Sequence, residues 1–551
     1  MSIAGKENVI RLSEFGNFSD GKKNAFEALK KCFEKSSERE KSVIVIEPGE
    51  YLVDSGDSIP LYSHTLVIAD GAEFKFPENL GDNFIRRMFR GINVEDFTWQ
   101  GGSFRGYVYD INKKENLWKP YSFTGCICIY TREGGCVKDI RIKNVTGYDV
   151  AGTVVSVEGF EHKKAENIDV KDCRFIRCAR FMWDYGYLWQ RVVFASEYDE
   201  ASVFNALSNI PKEHISEELT LDKDGGIVAE FMPKALPEER DAVTFFGKEM
   251  PVGIIRGKQY FVLNKGAENS LFISEKENGE PVKISAMPHN TRLFRNMFFI
   301  FHDLYCPFGV LDMEKINVRN PKEEKGSVNV VYGKNITVTG CRVSGEGDST
   351  HIARSENVVF SDNQILGSRM GALYIGFFCK NVTLSGNTVY GTNGSRTLSV
   401  ERGTEDITIV GNTFTGGGRG CWFNRPKNAV IMGNIFSGNT EKCTPDIQTG
   451  RFCHVTGEFE KYPEMYFTSG ENDEEYGSVI IKGNVFKAKK GASSAVSFNP
   501  GGKNILLEGN IFNGDVCDIH VAKGCEKPLM MNNIGIGEIM EQRFVNTANQ
   551  R

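Results

Sequence analysis

Two carboxylates stand out as candidates for catalysis, Asp348 in the stretch GDSTHI and Glu401 in the stretch SVERG. Glycoside hydrolysis needs one carboxylic acid that protonates the leaving oxygen and one carboxylate that activates water or attacks directly. Asp348 is predicted to be the acid, and Glu401 is predicted to be its partner. Glu346, Asp303 and Asp184 are the alternatives, although each is more typical of a surface or turn position.

The side chains around these carboxylates have the chemistry of a saccharide-binding surface. Aromatic rings offer an apolar platform to a sugar, and the planar guanidinium group of Arg holds hydroxyl or carboxylate groups in a fixed geometry. An ordinary solvated β-sheet face would instead carry mostly Lys, Thr, Ser and Glu. The predicted binding residues are His351, Tyr374, Arg396, Arg402, Arg419, Trp422, Asn424 and Arg425.

These residues are far apart in the sequence, so a repeating fold must bring them together. Asparagine recurs about every 24 residues, with one interval doubled, and an apolar residue follows each copy two positions later. A unit of this length with two or three short strands cannot close its own core and has to stack on its neighbours. The pattern predicts coils of a parallel β-helix whose asparagines form a ladder along the turns. The ladder residues are Asn363, Asn387, Asn412, Asn434, Asn484 and Asn510.

Alternation along one strand of each coil predicts which side chains point outward. The residues taken to point inward are Ile352, Ile375, Val400, Phe423 and Phe498. The outward columns beside them are then His351, Tyr374, Ser399 and Trp422, followed by Ala353, Gly376, Glu401 and Asn424. Asp348 and Glu401 fall two coils apart, which is about 10 Å along the axis. The competing interpretation is that the aromatic residues pair across strands for stability and that the arginines pair with surface acids.

Two further segments flank or interrupt the coils. The stretch SDGKKNAFEALKKCFEK has a helical spacing of apolar residues and predicts a short helix over the open end of the first coil. Residues 192–295 carry alternating strands and hairpin-like turns, which predict a small antiparallel β-barrel inserted between coils. The predicted parts of this all-β chain are the cap and first strand in 1–60, N-terminal coils in 61–191, the barrel in 192–295 and C-terminal coils in 296–551.

The helix, the PGEY turn and the coils together resemble the pectin-lyase-like superfamily. Asp20, Gly21, Pro48, Gly49 and Tyr51 fit the opening pattern of that group, and the resemblance extends over most of the chain. It implies a right-handed parallel β-helix and a carbohydrate ligand.

One rung has a narrower resemblance. GDSTHI resembles the Asp-Ala-Thr-His-Phe rung of the bacterial β-helical α-1,3-galactosidases, which also carry an inserted barrel, and this implies an active-site role for Asp348 alone. The Asp-Asp pair on the next rung of that family would fall at Met370 and Gly371, so the base of that family is not carried over. The Asn-Thr-Asp, paired Asp and Gly-His-Gly pattern of polygalacturonases is also missing from the coils.

Composition and motifs narrow the classes of function. The formal net charge of -6 argues against a nucleic-acid binder, because such proteins need a clustered basic surface. No apolar run of 18 residues predicts a membrane span. The start lacks a secretory signal pattern, so a cytoplasmic location is expected, although a trimmed secreted chain would look the same. No motif predicts a cofactor or a metal ion.

Together these features predict an inverting, exo-acting glycoside hydrolase that acts on an oligosaccharide or polysaccharide. The exo preference depends on the insert and on a long loop after Cys443, which would wall a cleft or form a homo-oligomer contact. One alternative is a polysaccharide lyase, in which arginines neutralise a uronate and His351 or Tyr374 abstracts a proton. The other is a non-catalytic glycan-binding module similar to a phage tailspike.

Overall fold

Three long parallel sheets make up most of the molecule. The computed structural model describes residues 8–78, 85–106, 123–150, 152–179, 187–195, 216–228, 242–246, 249–255, 259–265, 270–276, 279–289, 291–300, 309–312, 326–345, 348–368, 371–391, 396–440, 461–469 and 474–544. Between the first and last coils, each coil adds one strand in turn to sheet A, sheet B and sheet C, and every ladder within these sheets is parallel. The predicted parallel β-helix is confirmed.

The strands of each sheet stack in the order in which they occur along the chain. Sheet A consists of Val9–Arg11, Ser42–Val45, Thr65–Ile68, Glu95–Gln100, Lys138–Lys143, Ala165–Lys171, Gly333–Thr339, Glu356–Ser361, Lys380–Ser385, Glu405–Val410, Lys427–Met432, Tyr476–Lys482, Gly502–Glu508 and Leu529–Met531. Sheet B consists of Asp20–Asn24, Gly49–Leu52, Ala72–Lys75, Ser103–Arg105, Thr146–Tyr148, Arg174–Cys178, Arg342–Gly345, Gln364–Leu366, Thr388–Gly391, Thr413–Gly416, Ile435–Ser437, Val485–Lys487 and Ile511–Phe512. Sheet C consists of Ile59–Leu61, Ile85–Ile92, Phe123–Tyr130, Val155–Glu158, Val328–Val331, Thr350–Ala353, Gly371–Gly376, Arg396–Val400, Cys421–Asn424, Met465–Thr468, Val496–Phe498, Ile519–Val521 and Ile539–Met540.

The asparagine ladder runs along the turns between sheets A and B. Asn412 is representative: its Nδ2 donates to the Leu384 carbonyl of the preceding coil at 2.9 Å and to Asn434 Oδ1 of the next coil at 2.9 Å. Its Oδ1 in turn accepts the backbone N–H of Asn387 at 2.9 Å. Each buried amide thereby satisfies turn groups that no strand can reach, which fixes the register from coil to coil.

Stacked aromatic rings fill the interior two residues after the ladder. The ring centroids of Phe414 and Phe436 lie 5.3 Å apart, those of Phe436 and Phe486 lie 5.2 Å apart, and those of Phe486 and Phe512 lie 5.0 Å apart. These spacings follow from the distance between neighbouring coils, which equals the strand spacing of about 4.8 Å.

A short helix covers the first coils, as predicted. It spans Phe26–Ser37 and follows a 3-10 turn at Leu12–Phe15. Its buried face includes Phe33, whose ring lies 5.3 Å from Phe89 and 6.2 Å from Trp99 in the interior of the coils. The helix therefore shields an apolar end that would otherwise be exposed to water.

The inserted region forms a fourth sheet, which is mixed rather than purely antiparallel. Val192–Ala195 pairs parallel with Val243–Phe246, whereas the other ladders are antiparallel. The pairing order of its strands forms an open series, so a closed barrel stays a prediction. In that order the strands are Thr220–Leu221, Ile227–Val228, Ser270–Ser274, Gln259–Lys265, Ala242–Phe246, Tyr187–Ala195, Arg292–Ile300 and Gly309–Asp312.

The chain divides into two compact units. The first contains the cap and the coils, and the second contains the insert sheet. No helix within the described ranges has both the length and the apolar character of a membrane span. The first unit is Met1–Asp184, Lys322–Lys442 and Lys461–Arg551, and the second is Tyr185–Pro321 and Cys443–Glu460.

Candidate active site

Strand pairing in sheet C aligns the predicted outward column. His351 pairs with Tyr374, Tyr374 pairs with Ser399, and Ser399 pairs with Trp422. The neighbouring residues Ile352, Ile375, Val400 and Phe423 lie in the main hydrophobic core. Side chains that are two dozen residues apart in sequence therefore lie side by side on the outer face of one sheet.

The middle strand of this face, Gly371–Gly376, brings the two carboxylates close to one tyrosine. A Cβ atom built on Gly371 would lie 2.8 Å from Asp348 Oδ1, and one built on Gly376 would lie 2.8 Å from Tyr374 Oη and 3.1 Å from Glu401 Cβ. Asp348 thus reaches the first end of this strand, while the tyrosine hydroxyl and Glu401 meet at the other end. The absence of side chains at both glycines leaves room for this arrangement.

The side chain of Tyr374 is buried, and the charges of both acids act on its hydroxyl. Burial raises the pKa of Tyr374 well above its usual value, and the negative charges of Glu401 and Asp348 raise it further. Because the hydroxyl keeps its proton at neutral pH, it acts as a hydrogen-bond donor on this face. Asp348 and Glu401 remain partly exposed, whereas Tyr374 is only 8% exposed.

A buried arginine links Glu401 to the aromatic platform. Arg396 Nη1 lies 3.5 Å from Glu401 Oε1, and its guanidinium carbon lies 3.9 Å from the centre of the Trp422 ring. Arg396 is only 6% exposed, yet its Nε and Nη2 atoms make no hydrogen bond to the residues that the structure describes. The hydroxyl of Tyr466 acts on the same guanidinium group, so Arg396 is held among Glu401, Trp422 and Tyr466.

His351 is held by an amide network on the preceding coil. The Asn329 Nδ2 donates to Glu158 Oε1 at 2.9 Å and to Ser156 Oγ at 3.0 Å, so its Oδ1 is the acceptor for His351 Nδ1 at 2.9 Å. This network assigns the proton of the neutral ring to Nδ1 and the lone pair to Nε2. The imidazole also stacks on Tyr374, with ring centroids 4.8 Å apart.

The remaining predicted binding residues lie around this centre. Arg402 stacks on Phe377, with the guanidinium carbon 4.2 Å from the ring centre, and its positive charge acts on Tyr374. Arg419 is buried and acts electrostatically on Tyr466. Asn424 donates to Thr468 Oγ1 at 3.1 Å, and Arg425 forms an ion pair with Glu474.

Among the alternative acids, Glu346, Asp303 and Asp184 lie outside the described residues, as does most of the long loop after Cys443. Within the described ranges, no group of three or more His, Cys, Asp or Glu side chains is clustered closely enough to hold a metal ion.

Sequence reasoning missed several residues of this site. Tyr466 pairs with Trp422 and continues the outward column, and Asn329 fixes the orientation of His351. The short motif MYF at 465–467 repeats the alternation of CWF at 421–423 and could have extended the column. The long loop between them conceals this register. Asn329 lies in the first coil after the insert. That coil has no asparagine at the ladder position, so the repeat did not reveal where its strands lie.

We expect Gly376→Ala to impair the site without unfolding the chain. The added methyl group would lie too close to Tyr374 Oη and Glu401 Cβ, and displacements of about 1 Å can cost about 10²-fold in rate. Any activity of the protein should therefore fall by about 10- to 100-fold, as measured by initial rates. Gly56→Ala is the matched control, because no atom lies within 4 Å of its added carbon. Equal activity in the two variants would contradict this geometry.

The chain folds as a right-handed parallel β-helix, and the outer face of sheet C carries a closely packed cluster of polar and aromatic side chains. The profile of the NosD family, described as a periplasmic copper-binding protein, matches residues 309–458. No curated protein matches the sequence.

Comparison with solved structures finds similar chains at low sequence identity. The A-module of a mannuronan C-5 epimerase from Azotobacter vinelandii is 11% identical, with a TM-score of 0.54 over 95% of this chain and 98% of that chain. An exopolygalacturonase from Thermotoga maritima is 12% identical over 95% of this chain and 92% of that chain, with a TM-score of 0.42. The adhesin PfbA of Streptococcus pneumoniae is 11% identical over 97% of this chain and 100% of that chain, with a TM-score of 0.45. At this level of identity, the epimerase comparison supports the fold alone.

Proposed function

We propose that this protein is a glycan-processing enzyme, specifically an inverting, exo-acting glycoside hydrolase. The observation that supports this best is the position of two partly exposed carboxylates, Asp348 and Glu401, at opposite ends of the buried side chain of Tyr374. The resemblance to carbohydrate-active β-helices and the aromatic platform of Trp422 agree with a sugar ligand.

Each carboxylate has a distinct role in this proposal. The guanidinium group of Arg396 lies beside Glu401, and in this proposal Glu401 is the general base that activates water. Asp348 is the general acid that protonates the leaving oxygen. Tyr374 keeps its proton and donates a hydrogen bond to the substrate or to a neighbouring carboxylate.

The arrangement favours inversion over retention. Asp348 Oδ1 lies near the Cβ end of Tyr374, whereas Glu401 lies near its hydroxyl end. Asp348 and Glu401 therefore lie beside opposite ends of the strand Gly371–Gly376, and in this proposal they are taken to be too far apart for retention. Retaining enzymes hold their carboxyl groups about 5–5.5 Å apart, whereas inverting enzymes leave about 6.5–9.5 Å for a water molecule.

A polysaccharide lyase is the second candidate, and Arg396 is the observation that favours it. The positive charge of Arg396, which lies against Trp422, could neutralise a uronate carboxylate. A lyase also needs a base for the sugar proton, and the raised pKa of Tyr374 makes its phenolate scarce at neutral pH. His351 would then have to be the base, through Nε2.

A substrate screen separates these candidates. Nitrophenyl glycosides, neutral oligosaccharides and acidic polysaccharides are incubated with the protein, and the products are identified by mass spectrometry and NMR. A hydrolase consumes one water for each glycosidic bond that it cleaves, and an inverting one frees a reducing end of inverted configuration. An unsaturated product would establish the lyase, whereas binding without turnover would establish a non-catalytic module.

A further inference from the structure

The C-terminal segment returns to the outer face of sheet C and packs beside the candidate site. The Phe544 ring lies 4.9 Å from that of Tyr466 and 5.2 Å from that of Tyr462. We call Tyr462, Tyr466 and Phe544 the aromatic wall. Its members are 1%, 0% and 7% exposed, respectively, so the wall is closely packed.

An asparagine fastens this segment by two reciprocal hydrogen bonds. Asn499 Nδ2 donates to the Phe544 carbonyl at 2.8 Å, and the Phe544 N–H donates to Asn499 Oδ1 at 2.9 Å. Asn499 is itself only 6% exposed. A primary amide that forms both bonds of a strand-like pair holds the backbone of Phe544 in one position, and losing it would leave two buried backbone groups without partners.

The wall lies directly next to the aromatic platform. Tyr466 is the strand partner of Trp422, and the two rings are stacked with centroids 6.4 Å apart. The guanidinium group of Arg396 lies against Trp422 and also interacts with the hydroxyl of Tyr466. A sugar bound at Arg396 and Trp422 would therefore meet the wall on the side toward the C-terminal coils.

We propose that the aromatic wall ends the glycan-binding groove and makes Phe544 a determinant of chain-end specificity, with Asn499 as its positioning residue. This inference depends on the proposed function of the same face. The sugar unit beside Trp422 is then the last unit of its chain, because the next unit would occupy the volume of Tyr466 and Phe544. Packing of the C-terminal segment against the coils would therefore explain why the enzyme cleaves at the end of a glycan chain.

The test compares full-length variants on a long oligosaccharide that the wild-type protein cleaves. In the wild type, one product length released from the chain end is expected from the first turnovers. Phe544→Ala should open the wall and raise the share of internal cuts by about 10-fold. Asn499→Ala should act in the same direction, because it frees the segment while keeping the ring. Phe544→Leu, which keeps apolar bulk, and Phe160→Ala, at a 44% exposed phenylalanine, should give the wild-type products.

Binding provides a second measurement that does not require turnover. Calorimetry with oligosaccharides of increasing length should give a wild-type affinity that stops rising at short chains, whereas the affinity of Phe544→Ala should keep rising. If Phe544→Ala and Asn499→Ala both leave the products and the dependence of affinity on chain length unchanged, the proposed role of the aromatic wall is wrong, whereas the proposed hydrolase function is not affected. Binding of glycans without cleavage by the wild type would overturn the hydrolase instead, and the length series would still decide for or against the wall.

Discussion

Replacing either carboxylate, as Asp348→Asn or Glu401→Gln, is expected to lower kcat by about 10²- to 10⁴-fold. Each substitution preserves the size of the side chain but replaces the carboxyl group with an amide that cannot transfer a proton. KM should change far less than kcat, because the aromatic and arginine groups that bind the sugar remain. Steady-state kinetics on the best substrate of the screen measures both constants.

The controls are the same types of substitution, Asp to Asn and Glu to Gln, on another face of the β-helix. Asp406→Asn and Glu405→Gln lie on sheet A, where both acids form exposed ion pairs with Lys380. Such surface pairs contribute little to stability, about 0–1 kcal/mol, so both control variants should retain wild-type rates. Full activity in Asp348→Asn and in Glu401→Gln would remove these acids from the chemistry.

The second large effect concerns stability. Asn412→Ala is expected to lower the free energy of unfolding by about 3–6 kcal/mol, because leaving each buried partner unsatisfied costs about 1–3 kcal/mol. The groups left without their bonds include the Leu384 carbonyl and the backbone N–H of Asn387. Chemical denaturation followed by circular dichroism measures the loss.

The last rung of the ladder is the matched control. Asn533 makes similar bonds to Leu507 and Asn510 but is partly exposed to water, which can replace the lost partners. Asn533→Ala should therefore cost less than half as much as Asn412→Ala. Equal losses at both positions would mean that burial of the ladder is not the source of its stabilisation.

Much of the fold follows from the period of the sequence. Stacked coils place equivalent residues above one another, so the interval between Asn387 and Asn412 is enough to predict that Tyr374 and Ser399 are neighbours. The same logic placed Asp348 and Glu401 two coils apart. The period could not predict that both acids lean toward the strand between them. That orientation depends on Gly371 and Gly376, which have no side chains to block it.

The parts that could not be predicted are those without a period. Phe544 reaches the outer face through an irregular segment, and Tyr466 follows a long loop that hides its register. In the insert, the parallel pair of Val192–Ala195 with Val243–Phe246 joins strands that are far apart in sequence. Local alternation predicts strands there but does not specify which strands pair.

A crystal structure of Asp348→Asn soaked with an oligosaccharide substrate tests the central claim most directly. The position to measure is that of the scissile glycosidic oxygen. The expected result places this oxygen within hydrogen-bonding distance of the side chain at position 348, with a water molecule between Glu401 and the anomeric carbon on the opposite face of the sugar. A sugar bound on sheet A or sheet B, or a scissile bond beyond the reach of both side chains, would contradict the proposed site.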